Sequence, residues 1–153
     1  MGKDGEANGE LTLYRIGQLA KLSGASPRTI DYYTKIGLIE PEKRSDSNYR
    51  FYSDETLLRL KRIEVMKREK YTLEEIKVSL DNMHKVSSDE HVADKLTSLQ
   101  LHLRQLEQEA KELSPIIDQL KPTQLKRMYK LLTPQSVACI EALLILLGKG
   151  PLL

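Results

Sequence analysis

The sequence predicts a mainly α-helical chain in three parts, and three observations carry that prediction. Residues 14–52 place a small residue, a glycine and a branched apolar residue at the spacing of two short helices around a tight turn. A basic, tyrosine-rich hairpin pattern follows at once. Further on, apolar residues repeat in a heptad from Val92 to Leu120, ahead of an apolar stretch from Val137 to Leu147. Together these describe a winged helix-turn-helix domain, then a long coiled-coil dimerisation helix, then a short apolar C-terminal helix.

Residues 1–10 are polar and partly acidic, unlike a secretory leader, and read as a flexible tail. Leu11 to Tyr14 reads as a short strand or lead-in. Helix one is expected from about Ile16 to Leu22, with Ile16, Leu19, Ala20 and Leu22 facing inward. With Ile16 as the first position, Ala20 is the fifth, Gly24 the ninth and Ile30 the fifteenth. Two helices crossing closely need a small side chain at the crossing, a residue at ease with positive φ in the turn and an apolar plug beyond it. Ser26 is a good N-cap for helix two, and Pro27 suits the first helical position, where its missing N–H has no partner to lose. Helix two is expected to stop at Gly37.

Pro41 to Tyr52 reads as extended or hairpin chain, with a polar turn at Ser45–Asn48 and an alternating return arm. Phe51 and Tyr52 are expected in the core. Ser53 caps a third helix to about Lys70, with Leu57, Leu60, Ile63 and Met66 on one face. Thr72 and Glu75 have capping-box spacing for a fourth helix ending near Leu80. The domain is thus expected over residues 11–81, with a boundary at Asp81–Ser88.

Ser87 and Glu90 repeat the capping-box spacing before the heptad. Val92, Leu96, Leu99, Leu103, Leu106, Ala110, Leu113, Ile117 and Leu120 then follow in alternating steps of four and three. That regularity marks a dimerisation seam within residues 87–121. The seam is about 40 Å long at 1.5 Å per residue, more than so small a head can cover. Pro115 is expected to kink or stop the helix near Leu113. A turn or two is expected over Thr123–Leu132, and Thr133 and Pro134 are expected to cap a last helix ending at Gly148, so that 122–153 forms a short helical segment. The apolar run Val137–Leu147 falls short of the roughly 20 residues a bilayer span needs, so no membrane partner is expected. It can pack on the coiled coil and the partner's head, form a higher-order contact or line a small pocket.

Composition narrows the function. The chain has 153 residues, 30% charged and 40% hydrophobic, with a net charge of +2. Residues 11–80 hold 14 Lys/Arg against 10 Asp/Glu (+4), whereas 81–153 hold 9 against 9. The positive excess is small, but it lies with the helix-turn-helix. Cys139 is the only cysteine, which excludes an intrachain disulfide and fits a reducing cytoplasm. Its apolar neighbours mark it as a buried structural thiol, and His84, His91 and His102 are scattered, so neither a metal site nor a cofactor is expected. No nucleophile–base pair, phosphate loop or paired catalytic carboxylates appear, so the chain is not read as an enzyme.

Double-stranded DNA is the partner this pattern favours. Arg28, Asp31, Tyr32 and Lys35 recur at i, i+3, i+4 and i+7, so they share one face of helix two. With Thr29 they are candidate contacts of a helix lying in the major groove. Arginine can grip guanine or phosphate there, and a tyrosine hydroxyl can donate to phosphate. Lys43, Arg44, Tyr49 and Arg50 are candidate contacts of the hairpin, as a wing over the neighbouring phosphates.

The run YRIGQLAKLSGASPRTIDYYTKIGLIEP, with NYRFYSDETLLRLKRIEVMK and YTLEEIK after it, resembles the DNA-binding domain of the MerR family of bacterial transcription regulators. The resemblance covers about residues 12–80. It implies a homodimer joined by an antiparallel coiled coil, bound to a pseudo-palindromic operator in an over-long promoter spacer. Such regulators bend and untwist that DNA so that RNA polymerase engages both promoter elements. Carried over, Arg28, Tyr32 and Lys35 become recognition-helix contacts, and Tyr49 and Arg50 wing contacts.

Two positions depart from the family. Asp31 stands where the family commonly has a DNA-contacting arginine, and it is expected to pair with Lys35 and Arg28 on its own helix. Asn48 stands where glycine is common, and asparagine tolerates the left-handed turn. An architectural DNA binder with the same head, or a coiled-coil adaptor that has lost DNA binding, would share these features. The effector, if the chain has one, is not identified by any residue pattern.

Overall fold

The computed structural model describes residues 11–148, so the expected tail at 1–10 and the last residues of the C-terminal segment lie outside the described residues. The chain divides into two compact units, the first ending at His102 and the second starting at Leu103.

The first unit opens with β1 (Leu13–Arg15), α1 (Ile16–Ser23) and α2 (Pro27–Lys35). Gly24 ends α1 with a φ of 76° and donates its N–H to the Ala20 carbonyl at 3.0 Å. Ser26 caps α2 by accepting from the Thr29 N–H at 3.1 Å, with Pro27 in the first turn. Here local chemistry sets the turn as the spacing predicts. Leu22 departs from expectation: it is exposed, because α1 is short and its last turn faces away from the core.

The wing consists of β2 (Lys43–Arg44) and β3 (Arg50–Ser53). The strands form an antiparallel three-stranded sheet in the order β1-β3-β2, with Tyr14 opposite Tyr52, Arg15 opposite Phe51 and Arg44 opposite Arg50. The lead-in thus begins at Leu13 rather than Leu11. At the wing tip Asn48 takes a φ of 67°, the left-handed conformation its short polar side chain tolerates. Tyr52 is fully buried as expected, whereas Phe51 is only partly buried, because its register partners are the polar Arg15 and Lys43 rather than core residues.

Helices α3 (Asp54–Arg68) and α4 (Leu73–Val86) complete the head. Ser53 caps α3, and Thr72 with Glu75 forms the full capping box of α4. The core joins Leu19 of α1, Ile30 and Tyr33 of α2, Tyr52, and the inward faces of α3 and α4 around Leu60, Ile63, Met66 and Ile76. Recognition helix, wing and core are therefore one packed body. Helix α4 runs past its expected end at Leu80, because Met83 continues its buried stripe.

Helix α5 (Glu90–Ile117) begins after Ser87, but the expected Ser87–Glu90 box does not form. The Ser87 hydroxyl accepts from the Asp89 N–H, and Asp89 in turn accepts from the His91 N–H at 2.8 Å. The first turns of α5 dock on the head. Arg62 binds both Glu90 and Asp94, Ser79 donates to Gln100, and Leu96 and Leu101 pack against the core. Leu96, counted in the expected seam, thus serves the head.

In the second unit Leu103 and Leu106 stand open, 42% and 55% exposed, whereas the later seam residues Leu113, Ile117 and Leu120 are already half-buried within the chain. Pro115 does not stop α5. It lies in the last turn, where it forfeits a single backbone bond before the helix ends at Ile117. Helix α6 (Pro122–Gly148) is one helix, not a short turn followed by a capped one. Pro134 lies within it, and the hydroxyls of Thr133 and Ser136 donate back to the Tyr129 and Leu132 carbonyls on either side of the proline's missing N–H. Continuity makes α6 long and apolar enough, by length and composition alone, to cross a bilayer, with a mean hydropathy of 1.8 over its most apolar window. Cys139 is exposed rather than buried, because α6 presents apolar residues all round and this chain alone covers little of them.

Candidate nucleic-acid interface

Helix α2 buries Ile30 and Tyr33 and so turns the opposite face outward. On that face Tyr32 is 51% exposed, Lys35 extends into solvent, and Arg28 forms no ion pair among the described residues. Thr29 is half-buried and belongs to the cap, where its hydroxyl lies 2.9 Å from that of Ser26. Of the helix candidates, then, Arg28, Tyr32 and Lys35 are presented outward, and Thr29 holds the helix start.

Asp31 is half-exposed between them. Its Oδ2 lies 2.7 Å from Lys35 Nζ, the expected pair one turn on. The other expected partner, Arg28, is not engaged. Instead Arg50 of the wing donates from Nη1 to Asp31 Oδ1 at 2.6 Å. The hydrogen bond from Lys35, reinforced by that from Arg50, holds the Asp31 carboxyl below the usual carboxylate range. Asp31 in turn raises the Arg50 guanidinium, against a smaller opposing effect of burial.

The wing carries the remaining candidates. Arg44 and Tyr49 are exposed at its tip, and Arg44 donates to the Asn48 side chain at 3.1 Å. Lys43 is exposed with its ammonium 5.9 Å from the Phe51 ring centre. Arg50 differs: its side chain is 22% exposed and turned toward α2.

Two further cations enter the site that residue patterns did not single out. The Arg15 guanidinium lies 5.8 Å from the ring centres of both Tyr49 and Phe51, close enough for a cation–π contact. With Lys21 of α1 it lines a cleft of about 670 Å³ between α1, α2 and the wing. Arg44 and Arg50 complete its basic rim, and Asp31 is the only acid among the described residues that line it. The signal for Arg15 lay in the β1–β3 register, which sequence spacing does not reveal. A second cleft, of about 720 Å³, has the opposite character. Glu40, Glu42, Glu55 and Asp81 line it, and Arg59 there is spent on Asp81 and the Leu38 carbonyl. Lys85 is the other cation of that lining, so acids outnumber bases there and bases outnumber acids in the first cleft, and the two clefts of the head differ in charge.

Comparison with known proteins identifies the family. Residues 14–83 match the family model described as MerR HTH family regulatory protein. The HTH-type transcriptional regulator CueR of Bacillus subtilis (strain 168) is 34% identical over 135 residues, which cover 88% of this chain and 92% of that protein. The HTH-type transcriptional regulator ZntR of Escherichia coli (strain K12) is 30% identical over 112 residues, 69% of this chain and 79% of its own length. The crystal structure of MtaN, the N-terminus of the Bacillus subtilis multidrug transporter activator, aligns with 34% identity and a TM-score of 0.45, covering 69% of this chain and 95% of that one. An exposed, cation-bearing helix after a tight turn, a basic wing beside it and a relative matched along nearly its whole length point one way: the chain belongs to the MerR family of helix-turn-helix transcription regulators, which are DNA-binding proteins and not enzymes.

Proposed function

We propose that the chain works as a cytoplasmic homodimer that binds a pseudo-palindromic promoter operator and distorts it for RNA polymerase. The observation that carries this reading is the shared outward face of Arg28, Tyr32 and Lys35 beside the exposed Arg44 and Tyr49 of the wing. A helix in the major groove with a wing on the adjacent backbone needs cations and hydroxyl donors on those two elements. Arg28 is the base-reading candidate, while Arg44 and Tyr49 hold phosphate. Arg15 and Lys21 extend the same basic surface onto α1.

Dimerisation follows from the heptad face of α5, whose Leu99, Leu103 and Leu106 are open in the single chain. An antiparallel partner helix covers Leu99 through Leu120 and sets two heads at the spacing of two half-sites. The apolar faces of α6 are then covered by the same dimer, which suits Glu141 and Pro134 better than hydrocarbon does. No metal or cofactor is needed for this activity.

Genome-wide occupancy of the tagged protein, with footprinting of the strongest site, tests the reading. A two-fold protected operator inside a lengthened promoter spacer is the expected result. Dispersed or spreading occupancy replaces the regulator with an architectural protein, and no salt-sensitive binding to any duplex leaves only an adaptor.

A further inference from the structure

Two residues of β3, Arg50 and Tyr52, lie on the same face of the strand by its period of two. Both reach α2. The Tyr52 hydroxyl lies 2.8 Å from that of Thr34, and Arg50 holds Asp31 at 2.6 Å. Asp31 and Thr34 are three residues apart, on neighbouring turns of the helix. The wing therefore stands on the recognition helix by two rungs, one neutral and buried, the other charged and half-exposed. The charged rung uses a cation that a DNA-binding face would otherwise offer to phosphate. Asp31 also holds Lys35 at 2.7 Å, so one carboxylate engages two cations, one on the recognition helix and one on the wing.

Resting on the DNA-binding reading above, we infer that Asp31 is a positioning and specificity-determining residue: it docks Arg50 against the recognition helix, fixes the wing angle and withholds Arg50 and Lys35 from indiscriminate phosphate contact. Arg50 then acts through Asp31 and not as a free wing contact. Nonspecific duplexes, which are bound through phosphates alone, lose most by this arrangement. An operator that matches Arg28 and Tyr32 loses least, so the ratio of specific to nonspecific binding rises.

The test uses the full chain and two duplexes of equal length, one selected from a random pool by the wild-type protein and one scrambled. Fluorescence anisotropy over a salt series gives affinity and salt slope for wild type, Asp31→Asn, Arg50→Gln, Arg50→Lys and the Asp31→Asn/Arg50→Gln pair. Asp31→Asn is expected to tighten the scrambled duplex about three- to tenfold and to steepen the log–log salt slope by about 0.9 for each cation released. The selected-to-scrambled ratio falls. Adding Arg50→Gln removes the part of the steepening due to Arg50, and Arg50→Lys keeps the wild-type slope.

Three results overturn the inference while leaving DNA binding intact. The first is a slope unmoved by Asp31→Asn. The second is a double variant that steepens as much as the single, so that Asp31 acts as a distant charge only. The third is a fall in the ratio confined to one base pair, which makes Asp31 a base reader. Absence of salt-sensitive binding by the wild type sinks the functional reading itself, and the inference with it. Equal thermal midpoints across the set show that folding is not the cause.

Discussion

The hydroxyls of Tyr52 and Thr34 lie 2.8 Å apart, across the junction of the wing and the recognition helix. Thr34 gives its own proton to the Ile30 carbonyl, also at 2.8 Å, so Tyr52 is the donor. Tyr52 is fully buried, and the bond is the neutral rung that seats the wing. Tyr52→Phe is expected to cost about 1 kcal/mol, the net worth of one buried hydrogen bond. Urea denaturation checks this. Thr34→Val in the Tyr52→Phe background should add less than it does alone, since both remove one interaction.

Gly24 occupies the left-handed region with open space around its Cα. Gly24→Ala therefore meets no steric neighbour and is expected to destabilise the head by about 1–2 kcal/mol through backbone strain alone. A thermal melt of the variant reads the loss. An unchanged melting temperature would mean that the turn relaxes away from this conformation.

Asp31→Arg replaces the acid of the reading face with a cation and frees Arg50. Binding is expected to tighten on all duplexes, with a steeper salt dependence. Affinity lost only at sites carrying one particular base would contradict this.

The same carboxylate sets an acid limit. Its pKa in the folded chain is depressed, first by Lys35 and then by Arg50. A depressed carboxylate contributes stability above its unfolded pKa and loses it as pH falls through the folded value. The Asp31–Arg50 link is therefore expected to hold unchanged across the neutral range and to weaken only below about pH 4, the ordinary carboxylate region. NMR titration of the Arg50 side chain follows it, and Asp31→Asn should abolish the acid-side transition.

Leu99 and Leu106 are exposed positions of one heptad register and lie outside the head's core. Replacing both by glutamate is expected to weaken dimerisation at least about 100-fold, or some 2.7 kcal/mol, and to leave the head's unfolding unchanged. Sedimentation equilibrium measures the first effect. A dimer that survives the double substitution would place the seam elsewhere.

Much of the head was legible in the residues because its signals are short-range. Ser26, Pro27, Gly24, Ser53 and the Thr72–Glu75 box act within a few residues of the backbone groups they satisfy. Helix ends without such signals were less legible. Helix α4 outran its expected end because Met83 found buried contacts, and α6 passed through Pro134 because one missing N–H does not break a long helix whose neighbouring hydroxyls bond back to the chain.

By itself the sequence determined the helix-turn-helix, the outward face of Arg28, Tyr32 and Lys35, and the heptad that follows. Periodicity and caps are properties of one segment at a time. Only the tertiary structure decided that Arg50 turns inward to Asp31, that Arg15 lies against Tyr49 and Phe51, and that Leu96 belongs to the head. Each of these depends on how segments far apart in the chain come to lie together. The register of β1 on β3 and the seating of the wing on α2 follow from burying Tyr52 and Ile30 in one core, which no local pattern encodes.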